Sequence, residues 1–119
     1  MSSEVPPWLQ EQLARYDQLQ QSLQAILTQK QQVEAELAEI EKALEELRKA
    51  PSDVTVYKFA GTIMLKADRE SLLKELEEKR ELANTRIMVL KKQEDRIRSN
   101  LQELQNKINE AIKSRQGAS

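Results

Sequence analysis

The chain has 119 residues, a third of them charged, with a formal net charge of −1, 3% aromatics, two glycines, no cysteine and no histidine. Disulfides, thiolate chemistry and zinc sites built from Cys or His are therefore excluded. No apolar run approaches transmembrane length, and Met1–Gln10 lacks the basic start and apolar stretch of a signal peptide, so a soluble cytoplasmic protein of one domain, residues 1–119, is expected.

Met1–Val5 is expected to lack order. Pro6-Pro7 suits the start of a helix, where proline forfeits no hydrogen bond, and helix 1 is predicted from about Trp8 to Lys49. Pro51 stops it, and Ser52-Asp53 makes a turn. Val54-Thr55-Val56-Tyr57-Lys58-Phe59 is β-branched and aromatic, and Ile63-Met64-Leu65-Lys66 follows through Ala60-Gly61-Thr62. That pattern predicts a β-hairpin over about 54–66, with Gly61 taking the unusual backbone angle. Asp68 is the expected N-cap of helix 2, although Ser71 stands where a full capping box needs Glu or Gln. Helix 2 is predicted over about 69–114, fraying before Gly117.

Each helix carries an apolar ladder with steps of three and four. The first runs from Leu9 through Tyr16, Leu19, Leu23, Ile26, Val33, Leu37, Ile40 and Leu44 to Leu47. The second runs from Leu73 through Leu76, Ala83, Ile87, Leu90, Ile97, Leu101, Leu104 and Ile108 to Ala111. Gln12 and Lys30 fill gaps in the first, and Arg80 and Glu94 in the second. The period is 3.5 residues, that of a coiled coil. Folded about Ala60, rung meets rung: Leu47 faces Leu73, Val33 faces Ile87, and Leu9 faces Ala111. A slip of one heptad would align the ladders too, so the mirrored pairing is favoured because its centre falls on the predicted turn. The fold class is mainly α: a long antiparallel two-helix coiled coil joined by a short central β-hairpin. Two such helices bury one narrow stripe each, so partners are expected to add stability.

Four features could carry function. The hairpin has apolar groups on both faces and unpaired edges. A connector folded onto the helix ends is the plainer reading. Assembly through Val54, Val56, Tyr57, Phe59, Ile63, Met64 and Leu65 is favoured, because one pair of helix ends cannot cover two faces. At the other end, Val5, Trp8, Leu9 and Leu13 meet Ile108, Ala111 and Ile112. These either widen the seam at a fraying end or form an exposed patch that holds apolar segments of another protein. The glutamines of helix 1, among them Gln18, Gln20, Gln21 and Gln24, make a nearly uncharged flank that good helix propensity alone explains. The polar rungs Lys30 and Glu94 fall in adjacent layers and could reach each other; escape of their long side chains to water is the preferred reading.

Catalysis finds no foothold. The clusters Glu34, Glu36, Glu39, Glu41 and Glu75, Glu77, Glu78 read as solvated helix faces, and no cofactor is expected. Charge is uneven: residues 33–78 hold 12 acids and 7 bases, and residues 79–119 hold 10 bases and 5 acids. The basic run Arg86, Lys91, Lys92, Arg96, Arg98 is broken by Glu94 and Asp95 and lacks stacking aromatics, which argues against nucleic acid.

The segment Val56-Tyr57-Lys58-Phe59-Ala60-Gly61-Thr62-Ile63-Met64-Leu65-Lys66, then Leu73-Lys74-Glu75-Leu76, between two long helices, resembles the archaeal β-type subunits of the prefoldin family. Ala60 stands where valine is common there, and Ser71 where a basic residue or alanine is common. The resemblance implies four β-type and two α-type subunits joined through their hairpins into a β-barrel platform. It implies tips that hold unfolded polypeptide clients without ATP, deliver them to a group II chaperonin, and engage no membrane. Two other functions remain open from the residues: a coiled-coil scaffold binding a folded partner, and a helical arm binding nucleic acid through Arg86 to Arg98.

Overall fold

A computed structural model describes residues 5–117. Helix α1 spans Pro7–Lys49, strand β1 Val56–Ala60, strand β2 Ile63–Ala67, and helix α2 Arg69–Gly117. Helix α2 thus runs past the expected end near residue 114, because no proline or glycine intervenes before Gly117 to stop it.

Each boundary has a local cause. The carbonyl of Pro6 accepts from the N–H groups of Leu9 and Gln10, both at 3.0 Å, closing the first turn of α1. Arg48 and Lys49 place positive charge in its last turn, where the helix dipole favours it. One of the last carbonyls, that of Leu47, accepts from Arg69 Nη2 at 2.9 Å, so the start of α2 caps the end of α1. Val54 does not join the sheet: its N–H donates to the Pro51 carbonyl at 3.0 Å, and this turn delays β1 until Val56. The strands pair antiparallel from Val56↔Ala67 to Ala60↔Ile63. Only Gly61-Thr62 remains in the turn, and Gly61, at φ 65°, supplies the positive angle that a two-residue hairpin turn needs at its first central position. At the head of α2 the Asp68 carboxylate accepts from the Ser71 N–H at 3.0 Å and from its hydroxyl at 2.9 Å. The backbone bond is the larger cause holding the Asp68 carboxyl below the usual range. Ser71, a departure from a capping box, closes the cap in another way.

The chain divides into two packing units. One comprises residues 31–88. In it Val33, Leu44, Leu47 and Ala83 are buried, while Leu37, Ile40, Leu73, Leu76 and Ile87 are half-buried. Two ion pairs cross its seam, Arg48 to Glu77 at 2.8 Å and Arg86 to Glu36 at 3.7 Å. As the residue number rises along α1 it falls along α2, so the helices run antiparallel, centred close to the hairpin turn. These pairs are exposed and contribute at most about 1 kcal/mol each. The apolar rungs dominate, at roughly 1.5–3 kcal/mol for each fully buried aliphatic side chain.

The other unit holds residues 5–30 and 89–117. Its core is Leu9, Leu104 and Ile108, with Val5, Tyr16, Leu19 and Ala111 packed against it. Leu9 and Ala111 share this cluster, as the mirrored register requires. Residues 1–4 lie outside the described residues, but Val5, expected to lack order, packs on the cluster. The Tyr16 hydroxyl donates to Gln105 Oε1 at 2.8 Å across the same seam.

The charged rung corrects the expectation that Lys30 and Glu94 reach for water. Glu94 is only 5% exposed. Its carboxylate accepts from Lys30 Nζ at 3.0 Å across the seam and from Arg98 Nε at 2.9 Å one turn along α2. Removing a carboxylate from water is unfavourable unless its lone pairs are met, and here two cations meet them. The Arg98 bond, followed by the Lys30 bond, lowers its pKa from 4.5 to about 2.

Candidate functional site

Two apolar surfaces are left uncovered, one in each unit. The first is the hairpin. Directly opposed residues share a face, so Tyr57, Phe59 and Met64 stand on one side and Val56, Leu65 and Ile63 on the other. Phe59 is 74% exposed, and Tyr57, Ile63, Met64 and Leu65 are exposed as well; Val56 is half-buried. Lys58, on the Val56 face, reaches Glu75 of α2 at 3.5 Å. This contact, with the neighbouring Lys79, keeps the Glu75 carboxyl below the usual range. Where the start of β1 meets the helices, a groove of about 300 Å³ has a lining that includes Val54, Val56, Tyr57, Leu72 and Leu76. Val54 therefore belongs to this surface through the groove, not through the sheet. Both edges of the two-stranded sheet and its Tyr57–Phe59–Met64 face are open, and the other face is covered only in part, at Val56 and Lys58, an arrangement that is marginal in water by itself.

The second surface is in the other unit, where α1 starts and α2 ends. Leu9 and Leu13 are four apart on α1, Val5 lies just ahead of the helix, and Ile112, Arg115 and Gln116 step along α2 by three and four. Together these six residues line a groove of about 380 Å³. Leu9 and Ile108 are buried core, and Ala111 is half-buried, so they support the surface rather than present it. Leu13, at 43% exposed, and Ile112, at 41%, form the accessible walls. Trp8, 51% exposed, sits one residue from Leu9, outside the groove lining. Arg115 and Gln116 were not singled out from the sequence. The signal was present in the spacing, since a face that includes Ile112 must include the residues three and four further on.

Several of the remaining sequence candidates are engaged elsewhere. In the basic run, Arg86 pairs with Glu36, Lys91 with Asp95 at 3.1 Å, and Arg98 with Glu94. Of the glutamines, Gln20 bonds the Tyr16 hydroxyl at 3.4 Å and Gln21 bonds Asp17 at 3.1 Å, both within α1. Leu82, Met88 and Val89 of α2, off the ladder, are exposed apolar residues that the heptad reading did not single out. Among the described residues no group of three or more Asp or Glu side chains is placed to hold a metal ion, and no helix is long and apolar enough to cross a membrane.

A family model described as "Prefoldin subunit" matches residues 10–115. A prefoldin subunit beta of Methanothrix thermoacetophila is 44% identical over 112 residues, covering 94% of this chain and 93% of that protein. The prefoldin subunit beta of Archaeoglobus fulgidus is 43% identical over 114 residues, covering 96% and 98%. Among solved structures, the prefoldin beta subunit from Thermococcus strain KS-1 superposes with a TM-score of 0.85 at 37% identity, covering 92% of this chain and 96% of that one.

Proposed function

Because the chain belongs to the prefoldin family, as a β-type chaperone subunit, we propose that it acts as an ATP-independent holdase. It assembles with α-type subunits and other β copies through its hairpin, four β with two α. It holds unfolded polypeptides at the tip groove and passes them to a group II chaperonin in the cytoplasm. The observation that carries the assembly half is the hairpin, which leaves Tyr57, Phe59 and Met64 exposed on one face and Ile63 and Leu65 exposed on the other. Edge pairing with neighbouring hairpins, closing a barrel, would satisfy its free backbone groups and bury Tyr57, Phe59 and Met64 together. The tip groove supports the holding half. It is shallow and apolar, lined on each side by one helix, and suits a flexible chain better than a rigid surface. Each contact is weak, and several subunits acting together give avidity while single tips still release. No chemistry is assigned to the chain.

The test separates the two halves. Trp8→Ser, Leu13→Ser and Ile112→Ser together leave the Leu9, Leu104 and Ile108 core intact. Native mass spectrometry with an α-type subunit should still show a hexamer, while suppression of aggregation of an unfolded protein should fall. Unchanged suppression would remove the tip as the holding site.

A further inference from the structure

We propose that the Lys30–Glu94–Arg98 rung is a register lock: it admits one alignment of the two helices and rejects the alignment one heptad away. The lock does not rest on the holding role of the tip. Two slips of one heptad are conceivable. Sliding α2 one way would set Lys66, a strand residue, opposite Leu47, so the hairpin forbids it. Sliding it the other way would set Arg80 opposite Leu47 and leave the first two turns of α2 overhanging, which the connection over residues 50–68 is long enough to allow. The apolar rungs still match in that slip. Leu23 would face Leu104 and Leu19 would face Ile108, in place of Ile97 and Leu101. Leucine and isoleucine exchange at small cost, so these rungs do not discriminate.

Glu94 does. It is buried, with Lys30 across the seam at 3.0 Å and Arg98 on its own helix at 2.9 Å. After the slip it would lie between Val33 and Leu37, beside Glu34 and Glu36. Lys30, the only cation on the α1 ladder, would be displaced by about 10 Å along the axis. Arg98 would travel with Glu94, but the partner across the seam would be gone. A buried charge that loses a partner disfavours the slipped state by about a hundredfold or more. The Tyr16–Gln105 bond is also specific to the observed register, but it is exposed and water can replace it. A well-packed apolar layer is often as stable as a buried ion pair, so what the charged layer adds is a single alignment. The tip depends on that alignment, since the slip would carry Ile112 one heptad away from Leu9 and Leu13, with which it lines the groove.

The chain lacks cysteine, so spin labels can be attached at chosen places through Ser22→Cys and Ser114→Cys, both exposed and in the same packing unit. Their separation along the axis is about 24 Å in the observed register, and the slip shortens it by about 10 Å. Dipolar distance measurements on the labelled full chain, diluted in unlabelled chain, should give one distance. Lys30→Leu combined with Glu94→Leu should melt no lower than the parent, yet add a second, shorter distance in about a tenth of the molecules or more. One unshifted distance in this double variant overturns the lock, because the register would then be chosen elsewhere. A melting midpoint several degrees below the parent's also overturns it, because the rung would then serve stability rather than alignment.

Discussion

Replacing Phe59 by threonine tests whether the hairpin is built for its own chain or for neighbours. Threonine keeps a good strand former and removes the ring. In the chain alone Phe59 is 74% exposed, so little of its apolar surface is buried by folding. The substitution should then change the stability of the dilute chain by no more than about 0.5 kcal/mol, as for other surface positions. In the assembly the ring would be covered. Full burial of a phenylalanine contributes about 1.5–3 kcal/mol, and three quarters of that remains available, so each subunit should lose about 1–2 kcal/mol of association. That is roughly a five- to thirtyfold weaker contact per subunit, multiplied around a ring of contacts. Circular dichroism of the dilute chain should show unchanged helix melting. Native mass spectrometry with an α-type subunit should show the hexamer giving way to smaller species. The reasoning is refuted if helix melting falls while assembly persists, since Phe59 would then be packing within its own chain.

Three further outcomes follow from the same structure. Leu44→Ala opens a site that is 1% exposed and should lower helix stability by about 2–3 kcal/mol, the low end for such truncations because a narrow seam can close on the gap; thermal melting reads this directly. Gly61→Ala meets no atom within 4 Å, so space is not limiting, but the φ of 65° costs roughly 1–2 kcal/mol for alanine; hydrogen exchange at the hairpin should quicken while helical signal holds. Glu94 has a folded pKa of about 2 against an ordinary 4.5, so it stabilises the fold above pH 4.5 and this contribution fades as pH drops toward 2. Melting midpoints measured across that window should fall less in Glu94→Gln than in the parent, and equal slopes would remove Glu94 from the acid response.

Much of this was legible beforehand because a coiled coil writes its core into a single spacing. Every apolar rung from Leu9 to Leu47 and from Leu73 to Ala111 is buried or half-buried. The turn was legible because only glycine takes its angle freely. What escaped were matters of side-chain reach and of termination. Lys30 and Glu94 have stems long enough to reach either water or each other, and periodicity alone does not say that Arg98 would supply a second partner. Val54 has the composition of a strand residue but is held by Pro51. At the tip, spacing identified the apolar residues but not which would be floor and which wall, because burial there depends on how two helices meet. Leu9 and Ile108 went to the core, and Arg115 and Gln116 came to the surface.

The Lys30–Glu94–Arg98 rung has a consequence for heat. Hydration of charged groups weakens as temperature rises, so the cost of keeping Glu94 out of water shrinks, while the gain from the apolar rungs levels off. A seam of leucine and isoleucine alone would depend wholly on the second of these trends. With one charged layer held by two cations near the middle of each helix, part of the seam becomes easier to maintain in hot solution.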